Sequence, residues 1–149
     1  MGRIKKNVTG DNSAERINPK VLEKFGIGEP NENLQTPYLV LKYLDIDSEC
    51  FSSWSKQDLS DFGNLVKKMK QMTWGQLRKQ GGKNGNKVGL GFTAHKNQPD
   101  SNSYDRLGIS KDIDNFSELR VNQKARLHGF RVNSAFFAVW LDKDHQYFK

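Results

Sequence analysis

The run Trp140-Leu141-Asp142-Lys143-Asp144-His145-Gln146-Tyr147 puts two carboxylates, an amine, an imidazole and a phenol directly behind a hydrophobic stretch. A strand leaving a core is a rigid platform from which to present reactive groups. Imidazole is the side chain whose ordinary pKa lies nearest neutrality, so His145 suits proton transfer. Tyr147 shares its face if the strand continues. The same residues also read as a polar tail with an aromatic anchor, and both readings stand at this level. Asp142, Asp144 and His145 lack a fourth metal ligand placed elsewhere, so no metal site is expected from them.

A second constellation precedes it in the chain. Lys124, Arg126 and His128 alternate with Ala125, Leu127 and Gly129. On a strand the first three share one face, and charged groups do not pack against hydrocarbon without partners. That face is expected to meet solvent or a polyanion. Between Arg78 and Arg131 there are eleven Lys and Arg residues, Arg120 among them, against five Asp and Glu. Nearby cations reinforce one another within a Debye length, so a clustered excess favours phosphate-rich partners. Over the whole chain of 149 residues the formal charge is +7.

Other chemistries find little support. The single cysteine, Cys50, makes neither an internal disulfide nor a thiolate metal site. Gly89-Leu90-Gly91 lacks the third glycine of a dinucleotide loop, and no phosphate-cradling or zinc-protease motif occurs. No cofactor is expected. No stretch of 18 apolar residues is present, and the basic start Met1-Gly2-Arg3-Ile4-Lys5-Lys6 is not followed by an apolar core. The expectation is a cytoplasmic protein with no membrane partner.

The elements that must carry these residues show in the sequence pattern. Residues 1–17 are polar and expected to form a flexible arm, with a single α+β domain over 18–149. Asn18-Pro19 resembles a helix start that closes at Gly26. Tyr38 to Leu44 reads as an interior strand, apolar on both faces. Ser55 with Asp58, and Thr73 with Gln76, are capping-box pairs opening two helices. Leu59, Phe62, Leu65, Val66 and Met69 mark the apolar stripe of the first, and Trp74 and Leu77 that of the second. Residues 81–86 are a loop. Lys87 to Ala94 alternates as a strand, 96–105 reads as loop, and further strands lie at 116–122, Lys124–Val132 and Ala135–Leu141. Asn133-Ser134 is the turn between the last two. The expected architecture is a helical hairpin packed on a small antiparallel β-sheet.

This order, together with Arg126, Phe130-Arg131, Phe137-Ala138-Val139-Trp140-Leu141-Asp142, His145 and Tyr147, resembles the RelE/ParE toxin superfamily over about residues 55–149. The resemblance implies one of two activities. RelE-like members are metal-independent endoribonucleases; ParE-like members act on gyrase. Both kinds are neutralised by a protein antitoxin. Metal-free RNA cleavage needs a base, an acid and cations around the phosphate. On the RelE-like reading His145, Tyr147 and His128 are the proton-transfer candidates. Arg120, Lys124, Arg126, Arg131 and Lys143 would contact nucleic acid, RNA rather than DNA. The alternative is a nucleic-acid-binding protein without catalysis, or a toxin that inhibits a protein target.

Overall fold

A computed structural model describes residues 34–48, 50–80 and 90–147. The arm expected at 1–17, the helix expected from Asn18-Pro19 and the loop at 81–86 lie outside the described residues. Five strands form one sheet: β1 (Tyr38–Val40), β2 (Thr93–Ala94), β3 (Phe116–Arg120), β4 (Arg126–Val132) and β5 (Ala135–Asp142). Their spatial order is β1-β5-β4-β3-β2. Among the described residues three α-helices accompany it, α1 (Lys56–Met69), α2 (Trp74–Lys79) and α3 (Ser101–Leu107). The fold is α+β. Among the described residues no helix is long and apolar enough to cross a membrane.

The C-terminal meander forms as its sequence pattern predicts. β3, β4 and β5 pair antiparallel, and the two-residue turn at Asn133-Ser134 joins the last two, with Asn133 at φ 53°. The sheet as a whole is mixed rather than antiparallel, because β1 pairs parallel with β5. β1 is also a three-residue edge strand, where the apolar run Tyr38–Leu44 reads as an interior one. The chain turns away after Val40, and Leu41 is exposed. β5 lies between β1 and β4, and both its faces are covered: Phe136, Ala138 and Leu141 pack into one core cluster, Phe137, Val139 and Trp140 into another.

Both capping boxes are present. Ser55 Oγ accepts from the Asp58 amide while the Asp58 carboxylate accepts from Ser55 N, and Thr73 and Gln76 repeat the arrangement. Each reciprocal pair satisfies two amides that a helix start leaves orphaned. Leu65 and Met69 of α1 and Trp74 and Leu77 of α2 are buried in one cluster with Leu119, Leu127 and Leu141 of the sheet. The stripe is narrower than its spacing predicts, since Leu59 and Val66 are exposed. α1 and α2 are not established as a helical hairpin.

The sheet has a second covered face. α3 begins within residues 96–105, which read as loop, and extends past them; Asp100 caps its start and Gly108, at φ 67°, ends it. Its Tyr104 joins Ile109, Phe116, Phe130, Val139 and Trp140 in a second cluster on the side away from α1. The strand expected from Lys87 shortens to Thr93–Ala94 within the described residues. All three tryptophans are buried, and each indole N–H finds an acceptor: Trp54 at Leu141 O, Trp74 at Ser134 O, Trp140 at Asp45 Oδ2.

One irregularity in the sheet shapes its polar end. The β4–β5 register shifts at His128/Gly129, so that Val139 is an extra residue opposite β4. Val139 and Trp140 consequently both belong to the second cluster. The freed Val139 carbonyl accepts from Asp45 N at 2.8 Å. A Cβ at Gly129 would lie 1.9 Å from Phe137 O, so only glycine fits beside this bulge.

Candidate active site

On the second face the strand registers set residues in rows. Phe116, Phe130 and Phe137 form an aromatic row, followed by Glu118, His128 and Trp140, then Arg120, Arg126 and Asp142. The hydrocarbon layer thus gives way to a polar cluster at one end of the sheet. His95, just beyond β2, reaches the same cluster, with its amide bonded to Phe116 O.

Two buried side chains form the base of the cluster. His128 and Asp142 are both 0 % exposed, and His128 Nε2 lies 3.0 Å from Asp142 Oδ2. Burial alone would raise the Asp142 pKa, yet it lies below the ordinary carboxylate value. The His128 bond and the amides of Gln146 and Tyr147, at 2.8 and 2.9 Å, outweigh desolvation. The carboxylate is therefore an acceptor, and His128 Nε2 carries the proton. His128 Nδ1 faces His95 Nε2 at 2.9 Å, and one of the two nitrogens donates to the other. Asp142, His128 and His95 make a chain from the buried layer to the partly exposed edge. Burial, then the neighbouring His128 and His145, push the His95 pKa down to about 4, so it is neutral at pH 7.

Glu118 sits between the imidazoles. Its Oε2 is 3.8 Å from His128 Nδ1 and 3.5 Å from His145 Nε2, while Oε1 is 3.6 Å from Arg126 Nε. The chain turns after β5 and His145 takes φ 54°, a left-handed conformation uncommon outside glycine. That turn returns the imidazole toward Glu118. All three histidines of the chain therefore converge on one carboxylate. His95 Nε2, His128 Nδ1 and a Glu118 oxygen lie within 4.8 Å of one another, a set able to hold a metal ion.

The basic strand face differs from its expectation. Arg126 and His128 are buried rather than solvated: His128 lies against His95, Asp142 and the Tyr147 ring, and Arg126 folds onto its own turn beside Glu118. Arg126 Nη1 donates to the carbonyls of Asn122, Lys124 and Ala125 at 2.9–3.2 Å, wrapping the β3–β4 turn. Burial pulls its pKa down while Glu118 acts in the opposite sense. Lys124 is exposed and paired with Asp144 at 2.7 Å.

The other residues singled out in the sequence are dispersed around this centre. Arg120 stands opposite Arg126, over Gly91. Both arginines line a cleft of about 700 Å³ beside α1 that also includes Lys68 and Gln123. Lys143 Nζ donates to Ser53 O. Arg131 lies on the other face of the sheet, its guanidinium 4.3 Å from the Trp74 ring centre. Tyr147 does not continue the strand beside His145. It stacks on Trp140 with centroids 5.4 Å apart, and its hydroxyl bonds Ser48 Oγ.

Sequence reasoning missed His95, Glu118 and the role of Asp142. The available signal was charge in apolar company: Glu118 next to Leu119, and Asp142 closing an apolar strand, each requiring a partner if buried. No family model, curated protein or solved structure matches the chain.

Proposed function

We propose that this protein is a toxin-like endoribonuclease of a bacterial toxin–antitoxin or phage-defence system, acting in the cytoplasm, cleaving RNA without a metal ion and held in check by an antitoxin protein. The observation that supports the reading is the convergence of His95, His128 and His145 on Glu118, beside Arg120 and Arg126. Two of these imidazoles, His95 and His145, are partly exposed and able to meet a substrate. His95, neutral at pH 7, accepts the 2′-hydroxyl proton as the 2′-oxygen attacks phosphorus. The P–O5′ bond breaks, and His145 supplies the proton to the leaving 5′-oxygen. The products are a 2′,3′-cyclic phosphate and a 5′-hydroxyl.

His128 is too deeply buried to touch RNA and acts by fixing His95. Arg120 and Arg126 contribute positive field where the pentavalent phosphate gains charge. Lys124, Lys143 and Lys68 extend that field along the surface. Tyr147 orients the tail through Trp140 and Ser48. On this reading α1 and α2 serve as the helical hairpin that RelE-like toxins pack on their sheet.

A second reading, RNA binding without cleavage, is favoured by the Arg126 guanidinium, whose Nη1 is committed to backbone carbonyls. Incubating purified protein with single-stranded RNA in EDTA separates the two. Cyclic-phosphate ends support the first, and salt-sensitive binding with intact RNA supports the second.

A further inference from the structure

We propose that His95 Nε2, His128 Nδ1 and a Glu118 carboxylate oxygen form a binding site for a divalent first-row transition metal of the zinc class. The site holds independently of RNA cleavage; only its effect on activity rests on that reading.

The ligand geometry supports it first. The three ligand atoms lie within 4.8 Å of one another and come from separate elements, β3, β4 and the segment after β2. The two nitrogens are 2.9 Å apart. Two imidazole nitrogens about 2.05 Å from one ion and at right angles to each other are separated by about 2.9 Å. That is the angle of a two-histidine, one-carboxylate facial set, and a tetrahedral ion asks for an opening of a few tenths of an ångström.

The backing of the site is also built. A ligating imidazole characteristically donates its other N–H to a carboxylate, which fixes its tautomer and raises its basicity. His128 Nε2 does this to Asp142 at 3.0 Å, and Asp142 is itself fixed by the amides of Gln146 and Tyr147. The His128 Nδ1 lone pair is thereby held toward His95 and Glu118. Lastly, the ligands sit where a buried layer meets the surface, so an ion enters past His95 and His145.

Filling the site changes the hydrogen bonding in a defined way. The proton held between His95 Nε2 and His128 Nδ1 leaves for His95 Nδ1 or for water, and both facing lone pairs go to the ion in place of the His95–His128 bond. Glu118 Oε2, 3.8 Å from His128 Nδ1, closes on the ion by side-chain rotation. The nearby Arg126 guanidinium opposes a cation, and the Glu118 and Asp142 carboxylates offset it. His145 Nε2, 3.5 Å from Glu118 Oε2, stands beside a remaining coordination position. An ion here occupies the imidazole that takes the proton in cleavage, so metal acts as an inhibitor.

The test is titration of the chelator-stripped full chain with Co²⁺, read by visible ligand-field absorption, and with Zn²⁺, read by calorimetry and melting temperature. The expected result is one ion per chain. His95→Ala and Glu118→Gln should each weaken binding at least tenfold, and Zn²⁺ should raise the melting temperature of the wild type more than that of either variant. Absence of binding to the wild type, or equal affinity in His95→Ala, overturns the site. Slower RNA cleavage with added Zn²⁺ supports the inhibitory role, and unchanged cleavage at one bound ion per chain overturns that role while leaving the site standing.

Discussion

Asp142 Oδ2 accepts from His128 Nε2 at 3.0 Å across adjacent strands, with both side chains shielded from solvent. The same carboxylate collects the amides of Gln146 and Tyr147, so one side chain orients the imidazole chain and closes the C-terminal turn. Asp142→Ala leaves three buried or partly buried donors without their acceptor. Removing one member of such a buried charged set costs about 3–5 kcal/mol. Urea denaturation should read that loss, and a variant within about 1 kcal/mol of wild type, the level of an ordinary surface change, would refute this role.

His145 holds a left-handed backbone that costs a non-glycine residue about 1–2 kcal/mol. His145→Gly removes both the imidazole and that penalty. Stability should stay within about 1 kcal/mol of wild type, while RNA cleavage should fall roughly 10²–10⁴-fold if the imidazole transfers a proton. Melting temperature and cleavage rate measured on the same sample decide it. A variant that melts early yet cuts RNA normally would remove His145 from the chemistry.

Gly129 admits no side chain, because a Cβ there would overlap the Phe137 carbonyl oxygen. That oxygen is backbone in an interior strand and cannot rotate away. Gly129→Ala should therefore cost about 3 kcal/mol or more, the upper range of overpacking. A thermal melt little changed from wild type would contradict the close approach.

Asp45 is buried, bonded to Arg106 at 2.6 and 2.9 Å and to the Trp140 indole at 2.9 Å. The Arg106 hydrogen bonds, aided by Trp140, hold its carboxyl below the ordinary value of 3.8 despite desolvation. A depressed folded pKa means that the unfolded chain binds the proton more readily. Asp45 thus contributes its full stability above pH 3.8 and loses it as pH falls through the folded value. Asp45→Ala leaves the buried Trp140 indole N–H without its acceptor and should cost about 1–3 kcal/mol at pH 7. The difference from wild type should shrink below pH 3.8, as denaturation midpoints at pH 7 and pH 3 would show.

Local signals were legible where they are local. Ser55, Asp58, Thr73 and Gln76 mark two helix starts because capping boxes are read within four residues. The Asn133-Ser134 turn and the apolar β5 likewise arise from neighbours in the chain. α3 escaped because its seven residues carry too short a stripe, chiefly Tyr104 and Leu107, to display a period. Arg126 and His128 read as a solvated face because alternation assigns them to a side without saying what covers it. Their counter-charges, Glu118 and Asp142, come from other strands, and strand register is a tertiary property. His95 lies past a strand of only two residues, too short to give a pattern.

The bulge at Val139 has a consequence for the chain's connectivity of forces. Its carbonyl anchors Asp45, whose carboxylate grips Trp140; Trp140 stacks on Tyr147, and Tyr147 bonds Ser48, three residues beyond Asp45. Segments about a hundred positions apart are thus fastened into a closed loop of contacts. Trimming the tail after Asp142 would loosen the 41–48 crossing as well, so the two should gain and lose hydrogen-exchange protection together, as one cooperative unit.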